Sequence, residues 1–353
     1  MKQRVTVLAA ACLAFLAGAV SAQGVDGPNG TAAVAVKKAG GNVQVDFNDP
    51  ARPITGVTFF SNVKSGEADV TAALDVVKDL PKLRAVALSS YVSTDKHLEQ
   101  VKAIKGLESL TVGGSISDAG MDTVATMTGL RELVLSEKIT DAGLAKLKGL
   151  TQLRKLSLSR GCTDKGLAVV EHFGKLESLR LSGDYTDKGL EHLKGLGELK
   201  ELQVFGTRID GSGLDHLKGL KKLRKLGLTG SPIAGKNLAL LKDFKDLESL
   251  DLWAARGVKD DDLQYLEPLE NVTELSLMAC NITDKGLPYL KKLPKLKSLR
   301  LTSTQVTDAG VPTLKEMKNL TFLPLDGTKV TDAGRKELAQ ALPNAFIFPK
   351  PEK

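Results

Sequence analysis

The 353-residue sequence predicts an α/β fold: a right-handed, horseshoe-shaped solenoid with a parallel β-sheet on its concave side and helices on its convex side. Three observations carry this. The motif LxxLxL recurs, starting at Leu83, Leu107, Leu130, Leu153, Leu176, Leu199, Leu223, Leu247, Val272, Leu296 and Leu320. Spacings of 23 to 25 residues over so many registers identify a repeat architecture. Each unit also has a second half of one type, such as ITDAGLAKLKGL (139–150) or VTDAGVPTLKEM (306–317). Both halves have a single apolar face, so neither is stable alone and stacking buries both.

The elements of one repeat follow from these patterns. In LRKLSLS (153–159), Leu156 and Leu158 alternate with polar residues, the pattern of a short half-buried strand. Thr163 and Asp164 offer side-chain oxygens to the first amides of a helix, and the aspartates Asp118, Asp141, Asp187, Asp284, Asp308 and Asp332 recur at the same place as caps. Leu144, Leu147 and Leu150 form an apolar helical face with lysines turned outward. Gly149, Gly195 and Gly219 fall where the helix ends and the chain turns back. Each strand-to-strand crossover is expected to be right-handed.

The ends differ from the repeats. Residues 1–22 read as a signal peptide, with Lys2 and Arg4 before an apolar run and small residues at 20–22 that predict cleavage after Ala22. An uncleaved anchor is the alternative, although the run falls a little short of the ~20 apolar residues of a membrane span. Cleavage leaves no membrane span and a secreted or periplasmic protein. Residues 23–28 are expected to be a disordered linker. Residues 29–82 form an N-terminal cap and a degenerate first repeat: a short helix over 30–41, a strand over 42–48 and a repeat-like strand over 54–60. The solenoid of about eleven repeats then occupies 83–348. Its last edge strand is 345–348, and the 349–353 tail (PKPEK) discourages further pairing.

The pattern LxxLxLxxTxVTDxGLxxLxxL resembles the leucine-rich-repeat superfamily, in its ribonuclease-inhibitor-like class. The recurring (I/V)-T-D-x-G-L is similar to that of exported bacterial leucine-rich-repeat proteins. The resemblance covers residues 54–348 and implies a leucine-rich-repeat solenoid that supplies a binding surface. It does not imply an activity. One column departs from the family. Where many such repeats place Asn after the strand, this chain has Thr207, Ser231, Ala255, Cys280, Thr304 and Thr328. Repeats starting at 107, 130, 153 and 176 are one residue shorter there, which predicts a tighter turn in the N-terminal half.

Composition and motifs narrow the function. With 42% hydrophobic and 26% charged residues, this is the composition of a soluble folded chain. The net charge of +7 loses two positive charges with the leader, and so mild a charge does not call for a specific nucleic acid partner. Cys162 and Cys280 lie too many strands apart for a disulfide, given ~4.8 Å per strand. No nucleophile elbow, zinc-protease helix, phosphate loop or dinucleotide fingerprint is present. No catalysis, cofactor or metal is therefore expected. His192 and His216 occupy one helical position in successive repeats, which reads as duplication on a solvated face.

Side chains alternate along a strand, so two columns are expected to leave the concave face. One contains Gln203, Asp251, Ser276 and Arg300; the next contains Phe205, Trp253 and Met278. Aromatics ringed by polar groups have the composition of a binding hot spot. The alternative is that Trp253 only packs on Met278. The expected function is an extracytoplasmic scaffold that binds a protein or peptide through these residues. The rival is an envelope structural or polysaccharide-binding protein that contacts an anionic polymer through a basic edge of Lys218, Lys221, Lys222, Arg224 and Lys225.

Overall fold

Residues 28–60 and 66–350 are described by a computed structural model. They fall into two compact units, one ending at Gln152 and one beginning at Leu153. The expected leader, linker residues 23–27 and tail residues 351–353 lie outside the described residues. Pro28, read as the end of the linker, instead opens a helix, Pro28–Lys38.

The first unit starts with that helix, which buries Ala32, Ala33 and Val36. Gly40, in the left-handed region at φ 74°, turns the chain into β1 (Gly41–Val45). Strand β1 pairs antiparallel with β2 (Ile54–Phe59), with a bulge between Gln44 and Val45. The cap is therefore a helix and a hairpin. From β2 onward the pairing is parallel, through β3 (Ala85–Leu88), β4 (Ser109–Val112) and β5 (Glu132–Leu135). Helix Glu67–Val77 buries Val70, Ala73, Leu74 and Val77, the i, i+3, i+4, i+7 stripe of an α-helix on a core. In helix Asp95–Lys102, His97 is buried and its Nδ1 accepts from the Thr94 amide at 3.0 Å. This histidine is a capping residue.

The second unit is an all-parallel run of strands. It comprises β6 (Lys155–Leu158), β7 (Ser178–Ser182), β8 (Glu201–Phe205), β9 (Lys225–Thr229), β10 (Ser249–Asp251), β11 (Glu274–Ser276), β12 (Ser298–Arg300), β13 (Phe322–Pro324) and β14 (Phe346–Phe348). Each strand pairs with the next in sequence, so each repeat adds one strand. The inward leucines, such as Leu250, Leu275 and Leu299, are register partners and at most 1% exposed.

The connecting helices differ from expectation in type. Most in this unit are 3₁₀, as in Asp187–Leu193, Ser212–Leu217 and Asp260–Leu266. The three-residue leucine step explains it. Side chains at i and i+3 eclipse in a 3₁₀ helix, so Leu190 and Leu193, or Leu214 and Leu217, face the core together. The glycines after these helices also differ from expectation. Gly149 and Gly195 lack a positive φ, and a Cβ there would meet nothing within 4 Å.

The recurring aspartates do more than cap their own helices. Asp284 accepts from the Thr307 amide at 2.8 Å and from Thr307 Oγ1 at 2.7 Å, one repeat onward. Thr307 Oγ1 in turn accepts from the Ala309 amide at 3.1 Å, capping its own helix. The same relay joins Asp164 to Thr186, Asp260 to Thr283 and Asp308 to Thr331 in this unit, and Asp118 to Thr140 in the first. Asp187 is a variant that accepts from the amides of Asp210, Gly211 and Gly213. Thr is the N-cap, and Asp locks one repeat to the next. The glycine of T-D-x-G is needed for that approach: a Cβ on Gly310 would lie 2.6 Å from Asp284 Oδ1, and one on Gly286 2.7 Å from Asp260 Oδ1.

After each strand from β8 to β13 one residue is left-handed: Gly206, Gly230, Ala254, Ala279, Ser303 and Gly327, with φ between 55° and 68°. The small-residue column follows immediately. Thr207 Oγ1 bonds Ser231 Oγ at 2.9 Å, and Thr304 and Thr328 each donate to a carbonyl three residues back. Of these bonds only Thr207–Ser231 joins two repeats; those of Thr304 and Thr328 close their own turns. The expected division between halves is less clean, because Gly114 and Gly183 hold the left-handed slot in two of the shorter repeats.

Candidate recognition surface

Within the second unit, the registers place the predicted columns side by side. Gln203 pairs with Gly227, Gly227 with Asp251, Asp251 with Ser276 and Ser276 with Arg300. Phe205 pairs with Thr229. Trp253 and Met278 lie just past their strands, yet the ladder continues through them. The Gly230 amide donates to the Trp253 carbonyl at 2.7 Å, and the Ala254 amide to the Met278 carbonyl at 2.8 Å. Leu252 and Leu277, beside them in sequence, are fully buried, so Trp253 and Met278 leave the opposite, open face.

The polar groups hold Trp253 in place. Asp251 Oδ1 accepts from the Trp253 amide at 2.9 Å, and its other oxygen accepts from Thr229 Oγ1 at 3.2 Å. Ala254, immediately after, sits at φ 58°, a region that costs a non-glycine residue about 1–2 kcal/mol. The tryptophan thus stands on a fixed backbone and is 43% exposed. Any packing on Met278 leaves a large part of the indole open. Beside it, Thr207, Gly230, Ser231, Pro232, Ala254, Arg256 and Gly257 line an open depression of about 650 Å³.

The other expected residues divide. Phe205 and Met278 are partly exposed, and Arg300 is exposed. Ser276 is 8% exposed and offers little surface. The Gln203 amide lies over Gly227, where any Cβ would collide with it. Gln203 thus covers β9 at Gly227.

The basic edge is largely neutralised. Lys218 pairs with Asp215 at 3.0 Å, Lys222 with Glu198 at 2.6 Å, and Arg224 with Asp246 at 3.2 Å and Glu248 at 3.6 Å. Only Lys221 and Lys225 of the five lack an ion pair among the described residues. Lys225 is not on the edge at all: it opens β9 in register with Glu201 and Ser249 on the open face. Similar pairs run between repeats elsewhere, as in Glu177 with Lys200 and Arg154, whose hydrogen bonds hold the Glu177 carboxyl below its ordinary range.

Among the described residues, no group of three or more His, Cys, Asp or Glu side chains could hold a metal ion. His192 Nδ1 lies 2.6 Å from Glu171, and that bond lowers the Glu171 pKa. Cys162 and Cys280 are buried. Burial pushes the Cys280 thiol up to about 12, and its Sγ donates to the Leu252 carbonyl at 3.0 Å. No described helix is long and apolar enough to cross a membrane.

One set of residues was missed by counting two columns. The first residue of each strand in the second unit also faces out, and at the C-terminal end that column holds Phe322 and Phe346. Phe346 and Phe348 are 48% and 47% exposed. The signal was present in AFIF, where two aromatics alternate with an inward residue.

Strand, left-handed turn and short helix, repeated with one apolar seam, define a leucine-rich-repeat fold. The Leucine Rich repeat family profile matches residues 269–290 and 292–314. Among solved structures, a chain of the yeast Rad7–Elc1 complex is 19% identical, with 83% of this chain and 80% of that one covered and a TM-score of 0.59. An internalin of Listeria monocytogenes is 21% identical over 72% of this chain and 83% of its own, with a TM-score of 0.48. A leucine-rich-repeat protein of Leptospira interrogans is 15% identical over 77% and 91%, with a TM-score of 0.41. At such identities the likeness shows the fold alone. No curated protein sequence matches.

Proposed function

We propose that this chain is a binding scaffold for a protein or peptide, without catalysis, and that its recognition surface is the open face around Trp253. The observation that carries the reading is a tryptophan 43% exposed on a backbone fixed by Asp251 and two ladder bonds. A rigid aromatic anchor loses little freedom on binding, which is why such residues dominate interface energies. Phe205, Met278 and Arg300 supply the surrounding contacts. The leader-like residues 1–22 support an extracytoplasmic place of action, and the T-D-x-G-L repeats a likeness to exported bacterial proteins. The paired charges of the basic edge speak against an anionic polymer as the main partner.

A pull-down from the source organism's envelope fraction tests this, with the unaltered chain beside a Trp253→Ala/Phe205→Ala variant. A partner held by the first and lost by the second is the expected result. A partner held equally by both would sink the reading.

A further inference from the structure

Beyond Trp253, the last strands of the second unit carry a row of rings and cations. Arg300 Cζ lies 5.6 Å from the centroid of the Phe322 ring. Phe322 and Phe346 are register partners whose rings stack, with centroids 5.9 Å apart and planes 5° from parallel. Lys350 Nζ lies 6.0 Å from the Phe346 centroid at the far end. Ile347 is 4% exposed between two phenylalanines that are nearly half exposed, so both rings leave the open face. Clustered exposed rings with a polar rim mark interaction sites on soluble proteins.

Charge identifies the partner. Three lysines of the neighbouring helical side are satisfied: Lys291 by Glu316, Lys292 by Glu267 and Lys315 by Glu337. Arg300 and Lys350 have no carboxylate partner among the described residues. Asp326, on the neighbouring β13 repeat, is engaged by Thr302 Oγ1 at 3.0 Å. A ring face attracts a cation but does not satisfy its N–H donors. The guanidinium fork remains free to take a carboxylate bidentately, and ring contact has already restricted its motion.

We propose that the Arg300–Phe322–Phe346–Lys350 row docks an extended acidic peptide. Its carboxylates sit on Arg300 and Lys350, and an aromatic side chain between them lies on Phe346 and Phe348. This rests on the open face being the recognition surface; it shares Arg300 with that reading but does not use Trp253.

The test is fluorescence anisotropy on the full chain with labelled decapeptides that alternate Asp with Phe, Lys with Phe, or Asp with Ala. The Asp-Phe probe is expected to bind about tenfold more tightly than either control, a difference of ~1.4 kcal/mol. Arg300→Gln/Lys350→Gln should remove about that advantage without moving the melting temperature, because both side chains are exposed; Phe346→Ala/Phe348→Ala should remove it too, with some loss of stability from the broken Phe322–Phe346 stack. Trp253→Ala should leave peptide binding within about twofold, even where it abolishes capture of the envelope partner. Equal binding of the Lys-Phe probe, or unchanged binding by the Arg300→Gln/Lys350→Gln protein, would overturn the proposal. So would loss of the peptide on Trp253→Ala alone, or binding of phosphatidylglycerol vesicles with no binding of the peptide.

Discussion

A single methyl group measures how closely two repeats approach. Gly310 has φ −80°, open to any residue, so its glycine is required by crowding. A Cβ would lie 2.6 Å from both Asp284 Oδ1 and Leu287 Cδ1. Gly310→Ala is therefore predicted to cost roughly 1–3 kcal/mol, the usual range for overpacking. Gly149→Ala, where a Cβ meets nothing, should be neutral or stabilising by up to about 1 kcal/mol. Urea unfolding midpoints of the two variants check both, and equal midpoints would contradict the crowding argument. Trp253 shows the complementary case, a large side chain held in the open by its own backbone. Its exposure was legible from the two-residue alternation of the strand. The Asp251 carboxylate that fixes it was read only as a neighbouring charge, because a side-chain bond to an amide two residues on leaves no periodic signal.

Between neighbouring repeats, the Asp–Thr relay couples a helix start to the next helix start. A double-mutant cycle with Asp284→Ala and Thr307→Val should give a coupling of roughly 1–2 kcal/mol, as expected for hydrogen bonds to a carboxylate. Strictly additive losses would show that the two residues act as separate caps. The strands were readable because Leu156 and Leu158, or Leu179 and Leu181, alternate in every repeat. The helices were readable in place but not in type. A three-residue leucine step suits the 3₁₀ geometry, and sequence reasoning assigned it to a generic helical face. The T-D-x-G motif was seen as a cap because local capping explains Thr and Asp, yet nothing local explains the glycine. Only the neighbouring repeat's carboxylate does. Phe322 and Phe346 escaped notice because only two outward positions per strand were counted where the sheet exposes three.

The chain as a whole invests its charge and its exposed apolar surface differently. Several lysines of the helical side and the expected basic edge are tied to carboxylates on the same or an adjacent repeat. Such exposed pairs add little stability each. The open face of the second unit instead displays Trp253, Phe346 and Phe348. A solenoid grows by adding near-identical units, so departures from the consensus on one face are where a partner can be selected. Site-specific photo-crosslinking tests that claim most directly. A benzoylphenylalanine placed at residue 253 is compared with one at Gln264, in the helical segment Asp260–Leu266. Incubation with the envelope fraction should give a discrete crosslinked protein or peptide from position 253 and none from position 264. The same adduct from position 264, with nothing from position 253, would place recognition on the helical side and contradict the assignment of the open face.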